Sequence, residues 1–156
     1  MYQLLSTLFI GFLGLVFVLS CSGEPKNEVS ETIISLERAA LDRWGKGDPW
    51  GFTEISAQEV TYFDTGTEQR VDGLKALKEL YAPREGKIKI ERYDMINPKV
   101  QLHGNTAVLT FNLIDYMPTA EGSIREVYWN STEVYSRING EWKIIHTHWS
   151  KPKWQE

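Results

Sequence analysis

Residues that could carry chemistry fall into three sets in this 156-residue chain. The first is a pair of histidines, His146 and His148, two positions apart in a run of strand character, Glu141–Trp149. Side chains alternate along a strand, so the spacing predicts that both share one face with Trp142, Ile144 and Ser150, and that Lys143, Ile145, Thr147 and Trp149 take the other. Two imidazoles do not close a metal site. A third donor would have to be a carboxylate such as Glu133, because His103 sits beside a turn, so no metal and no cofactor is assigned. The second set is the carboxylates Asp64, Asp115 and Glu133. A carboxylate walled by aromatic rings is pushed toward neutral pH by desolvation and can then move a proton, with His146 or His148 as partner. Each also has a structural role open to it. Asp64 and Asp115 stand near strand ends, where Asp caps turns, and Glu133 could face solvent or pair with Arg137 or Lys143 across a hairpin. The third set is the single thiol, Cys21, which lies ahead of the domain and leaves it without disulfide or thiolate chemistry. Ser150 lacks a strand-to-helix elbow and is not read as a nucleophile.

Asn139-Gly140 between two β-rich runs is a strong hairpin signal, since both central positions must adopt positive φ. It joins a strand over Val127–Ile138 to the histidine strand. Earlier in the chain, Ile33, Ile34, Leu36, Ala40, Leu41 and Trp44 recur at helical spacing, which predicts a helix from Ser30 to Lys46 stopped by Gly47. Asp48-Pro49 opens a second short helix to about Ile55. Val60–Thr65 reads as a strand, Val71-Asp72-Gly73 as a short strand or turn, and Leu74–Ala82 as a helix ended by Pro83. The remainder is β: Lys87–Ile96, a bend at Asn97-Pro98, Val100–His103, a turn at Gly104-Asn105 and Thr106–Tyr116. The plan is an α+β domain with three N-terminal helices packed on a curved antiparallel sheet.

Composition bounds the partners. With 42% hydrophobic residues the chain suits one globular domain, and 21 acidic against 17 basic residues without charge blocks gives no footprint for nucleic acid. Leu8–Leu19 is entirely apolar or glycine, too short for a membrane span and fitting a secretory signal. It ends in Val18-Leu19-Ser20-Cys21, which resembles the bacterial lipobox. Residues 1–21 are therefore expected to be a signal peptide with Cys21 as the lipidation site, 22–30 a tether, and 31–153 the domain. The expected location is the bacterial cell envelope, by lipid anchor, and the outer membrane where a cell has two.

The order of elements, with Gly47-Asp48, Val71-Asp72-Gly73, Asn97-Pro98-x-Val100, Thr132-Glu133-Val134-Tyr135 and the closing Asn139-Gly140-x-Trp142-Lys143-Ile144-Ile145-His146-x-His148-x-Ser150, resembles the nuclear transport factor 2-like superfamily. The resemblance is to its SnoaL-like and calcium/calmodulin-dependent kinase II association domain branches, and it implies the cone fold of that superfamily. Relatives in this fold include isomerases, cyclases, binding proteins and oligomerisation modules, so fold alone does not assign an activity. The association domain carries an arginine where this chain has Glu133, so its cationic pocket is not implied here.

These readings converge on a cone cavity lined by Trp44, Tyr62, Asp64, Tyr128, Asn130, His146 and His148, binding a small, partly apolar organic molecule. Asp64, His146 and His148 are the candidate catalytic residues if the same cavity transfers a proton in an isomerase- or cyclase-like reaction. A structural dimerisation module with a filled cavity is the third reading. A homodimer through the sheet face away from the helices is expected, with Ile145 and Trp149 on it and either Val134 or Tyr135 facing out.

Overall fold

A computed structural model describes residues 25–153. Helix α1 spans Lys26–Trp44, α2 Trp50–Glu54 and α3 Leu74–Tyr81, the last followed by a single 3-10 turn at Ala82–Arg84. The strands are β1 Ser56–Phe63, β2 Val71–Asp72, β3 Arg92–His103, β4 Thr106–Pro118, β5 Ile124–Ile138 and β6 Glu141–Ser150. Helix α1 starts four residues before the expected Ser30, inside the segment read as a tether. Pro25, at φ −57°, leads directly into it, and the hydroxyls of Ser30 and Thr32 bond back to the carbonyls of Lys26 and Glu28 instead of capping. Its buried stripe is Val29, Ile33, Glu37, Ala40 and Leu41, so one carboxylate rides in an apolar row.

All six strands form one sheet in the order β2-β1-β6-β5-β4-β3. Every neighbouring pair is antiparallel except β1 with β6, which is parallel. The helices cover one face, and the core lies between them and the inward residues of the long strands, among them Leu109, Leu113, Tyr135 and Ile144. Asn139 and Gly140 take φ of 52° and 88°, the turn their types require.

Two local departures decide which residues face inward. The Lys-Ile alternation of 87–90 looked like a strand, yet β3 begins only at Arg92. The backbone before it is tied to the end of α1: Gly86 N–H donates to the Gly47 carbonyl (2.8 Å) and Ile90 N–H to that of Gly45 (2.9 Å). The second departure is in β6. Tyr135 pairs with Ile144 but Val134 pairs with His146, so Ile145 is an extra residue, a β-bulge. Beyond it the alternation reverses: Trp142, Ile144 and Thr147 are buried inward while His148 is exposed.

A candidate ligand cavity

Between α1, α2, the end of α3 and the lower half of the sheet lies a cavity of about 430 Å³, within the size range of small-molecule sites. Its walls are largely aromatic. Trp44 of α1 and Phe52 of α2 meet edge to face, Trp44 also meets Tyr81, and Tyr81 meets Tyr62. On the sheet side, Trp149 stands edge-on to both Phe111 and Trp129. Ile88 and Ile90, on the segment bound to Gly45 and Gly47, close another wall. This explains why that segment is apolar on alternate residues without being a strand.

Two carboxylates reach the cavity, and their hydrogen bonding separates them. Asp64 follows β1 and both of its oxygens are engaged: Oδ2 accepts from the Tyr62 hydroxyl (2.8 Å) and lies 3.5 Å from the Arg84 guanidinium, while Oδ1 accepts from Gly66 N–H (2.7 Å). It is a turn cap that also faces the cavity. Asp115, on β4, is only 7% exposed. Its Oδ2 accepts from Trp129 Nε1–H at 3.0 Å, and its Oδ1 is buried with no hydrogen-bond partner among the described residues. Burial pushes this carboxyl up to about 6, against the opposing pull of the indole hydrogen bond and of the Lys151 ammonium. The Lys151 ammonium sits 3.1 Å from the centre of the Trp129 ring.

Deeper in the core, outside the cavity wall, lies a second pair of carboxylates. Glu37 and Glu133 are both fully buried. Tyr135 donates to Glu37 Oε2 at 2.6 Å, Thr147 to Glu133 Oε2 at 2.5 Å and Ser131 to Glu133 Oε1 at 3.3 Å. Glu37 Oε1 has no hydrogen-bond partner among the described residues. Burial raises Glu37 to about 7, and burial together with the charge of Glu37 raises Glu133 well above its ordinary range.

Of the seven residues expected to line the cavity, Trp44, Tyr62 and Asp64 do. The other four lie elsewhere, and that expectation is corrected. Tyr128, Asn130, His146 and His148 share a face, but it is the outer one. The Ile145 bulge turns the histidines outward. Tyr128 and Asn130 follow the parity of Val134, opposite Ser131, Glu133 and Tyr135. There His146 Nδ1 is 2.8 Å from the Thr61 hydroxyl, both imidazoles touch the Phe63 ring, and partial burial, ahead of the charge of His148, lowers the His146 pKa. Neither histidine can partner Asp64, and Glu133 lies across the sheet from them. Trp149, expected outward, is inward for the same reason. The sequence reading also passed over Phe52, Tyr81, Arg84, Trp129 and Glu37. Only Glu37 left a usable signal, its place in the Val29, Ile33, Glu37, Leu41 row.

The fold is that of known proteins. The profile of the calcium/calmodulin dependent protein kinase II association domain matches residues 29–152. The chain belongs to that family. Among solved structures, a candidate ketosteroid isomerase from Parabacteroides distasonis ATCC 8503 is 42% identical, with a TM-score of 0.72 over 82% of this chain and 91% of that one. The association domain of the C. elegans kinase is 20% identical, TM-score 0.70, over 80% of this chain and 97% of that one. A nuclear transport factor 2-like protein of unknown function from Pseudomonas putida KT2440 is 19% identical, TM-score 0.70, over 83% and 93%. Among curated proteins none matches. The α+β nuclear transport factor 2-like fold expected from the sequence is therefore the fold of this family member, with a mixed sheet in place of a purely antiparallel one.

Proposed function

We propose that this association-domain family member binds a small, partly apolar organic molecule in its cavity. The observation that carries the reading is Asp115: a buried carboxyl, one oxygen of it unpartnered among the described residues, on the wall of an aromatic-lined space of about 430 Å³. Leaving such an oxygen unsatisfied costs about 1–3 kcal/mol, which a bound donor recovers. Three tryptophans line the space, so binding reads out as a change in their fluorescence. A neutral aromatic probe such as 2-naphthol should quench it saturably in the wild type, and Met117→Trp, which places a large ring on the wall, should abolish saturation. Equal quenching in both proteins would end the cavity reading.

A second reading is favoured by the same carboxyl. A group titrating near 6 in an apolar site can exchange a proton with carbon next to a carbonyl, and the 42% identical relative bears the name of a candidate ketosteroid isomerase. Such an activity would convert a β,γ-unsaturated ketone into its conjugated isomer. The conjugated product absorbs in the ultraviolet, and no absorbance change above the Asp115→Asn variant would leave the protein a binder only.

Two further parts of the reading concern assembly and place. The outer sheet face carries half-buried Phe63, Val108, Ile114 and Val134, and structures named as hubs share the fold, which supports a homodimer through that face. Light scattering on the chain from Pro25 should give twice the monomer mass, reduced to the monomer by Val134→Lys; a monomeric wild type would refute it. Cys21 lies outside the described residues. The lipobox-like Val18-Leu19-Ser20-Cys21 supports a lipid-anchored envelope protein, and mass spectrometry should find a mature N-terminus at acylated Cys21. An unmodified, uncleaved chain would refute that.

A further inference from the structure

Resting on the cavity reading above, we infer that the ligand class is a small aromatic or alicyclic amine, its ammonium against the Asp115 carboxylate and its apolar body among the rings. The cavity's charges show why. Asp64 has a counter-ion in Arg84, 3.5 Å away, and Arg84 is further engaged over the Trp44 and Tyr81 rings at 5.7 and 5.6 Å. Asp115 has no hydrogen bond from any lysine, arginine or histidine among the described residues. Its one bond is from the neutral Trp129 indole. The Asp115 charge thus has no ion pair within contact distance among the described residues, only the more remote pull of Lys151, and an organic anion entering the space would meet it with the Arg84 guanidinium already paired.

The walls favour the same class. Aromatic faces carry negative potential, so a cation bordered by indole and phenol rings is held by them as well as by the carboxylate. The chain supplies its own precedent. The Lys151 ammonium lies over Trp129, the ring whose N–H holds Asp115, and the Asp115 charge acts on it. That ammonium does not hydrogen-bond the carboxylate, so Oδ1 is left without a partner among the described residues. A neutral alcohol could donate one hydrogen bond there but would leave the charge uncompensated.

The test is calorimetric titration of the full chain at pH 8 with three shape-matched probes: phenethylamine, 2-phenylethanol and phenylacetate. The amine should bind about tenfold or more tighter than the alcohol, with the acid weakest, the margin of a charge-assisted hydrogen bond. Asp115→Asn keeps the acceptor for Trp129 and should cut amine affinity about tenfold while leaving the alcohol within about twofold. Should that variant fail to fold by circular dichroism, Lys151→Met decides instead. Removing the resident ammonium should tighten the amine several-fold relative to the alcohol, and an unchanged ratio would overturn the inference. An alcohol that binds as tightly as the amine overturns the amine class and leaves the cavity reading standing. No binding by any probe, with no tryptophan quenching by 2-naphthol, overturns both.

Discussion

Replacing both Glu37 and Glu133 by glutamine will make the protein more stable at pH 8 and remove the core pair's share of the dependence of stability on pH between 4.5 and 8. In the native fold Glu37 holds its proton to about pH 7, whereas in the unfolded chain it releases it near 4.5. The native state therefore binds more protons through that interval, and stability falls as pH rises. It is full below about 4.5 and lost as pH passes through about 7. A displacement of this size in a fully buried group corresponds to about 3 kcal/mol, an order-of-magnitude figure. Glu133 adds in the same direction. The glutamine amides keep the shape and can still accept from Tyr135 and Thr147 without a charge to desolvate. Urea denaturation at pH 5 and pH 8 measures it. Wild type should lose about 3 kcal/mol or more between the two, Glu37→Gln less and the double variant least, its remaining slope coming from Asp115, whose carboxyl is pushed up to about 6. Parallel pH profiles for wild type and double variant would mean that burial does not hold protons on the pair, both carboxyls titrating in the fold as they do in the unfolded chain.

The second large effect is expected at Gly47. It adopts φ +82°, and a Cβ placed there would lie 3.1 Å from Gly86 Cα and 3.2 Å from the Ile88 carbonyl oxygen, both backbone atoms that cannot swing aside. Gly47→Val combines left-handed strain with this collision, about 2–4 kcal/mol together. Gly86→Ala is the control, since its φ is also positive at +69° but its Cβ would meet nothing within 4 Å. It should cost only the strain, about 1 kcal/mol. Thermal unfolding should rank wild type above Gly86→Ala above Gly47→Val. Because Gly47 holds the segment bearing Ile88 and Ile90, the valine variant should also lose saturable quenching by 2-naphthol. Equal destabilisation by the two substitutions would show that the close approach does not matter.

The sequence made the fold legible because its punctuation was local. Asn139-Gly140 could only turn, Pro83 could only end a helix, and the periodicity of 33–44 could only be a buried helical face. The cavity was half legible for the same reason: Trp44, Tyr62 and Asp64 sit on elements whose faces were read correctly. Tyr128 and Asn130 were assigned the wrong parity on β5, whose register with β4 is unbroken, and the histidines were misplaced at Ile145. A bulge has no composition of its own. It follows from β6 having to pair with β5 on one side and with β1, in parallel, on the other, and no local pattern reports that double constraint. With one residue inserted, the histidines moved out and Thr147 and Trp149 moved in. Asp115 was visible as a candidate but not distinguishable from Asp64, because what separates them is an unpartnered oxygen, a property of the assembled site.

The position of β6 bears on how the protein is made. It is the last strand among the described residues, yet it lies in the middle of the sheet, between β1 from the beginning of the domain and β5. Before β6 emerges, β1 with β2 and β5 with β4 and β3 are separate pieces, and neither can complete the core around Trp142 and Ile144. Folding must wait for contacts of nearly the greatest sequence separation the domain offers, which slows closure and prolongs exposure of unpaired strand edges. A ribosome that stalls anywhere before residue 141 therefore releases a chain with its keystone missing, open to capture by chaperones or by an export channel that accepts only unfolded polypeptide.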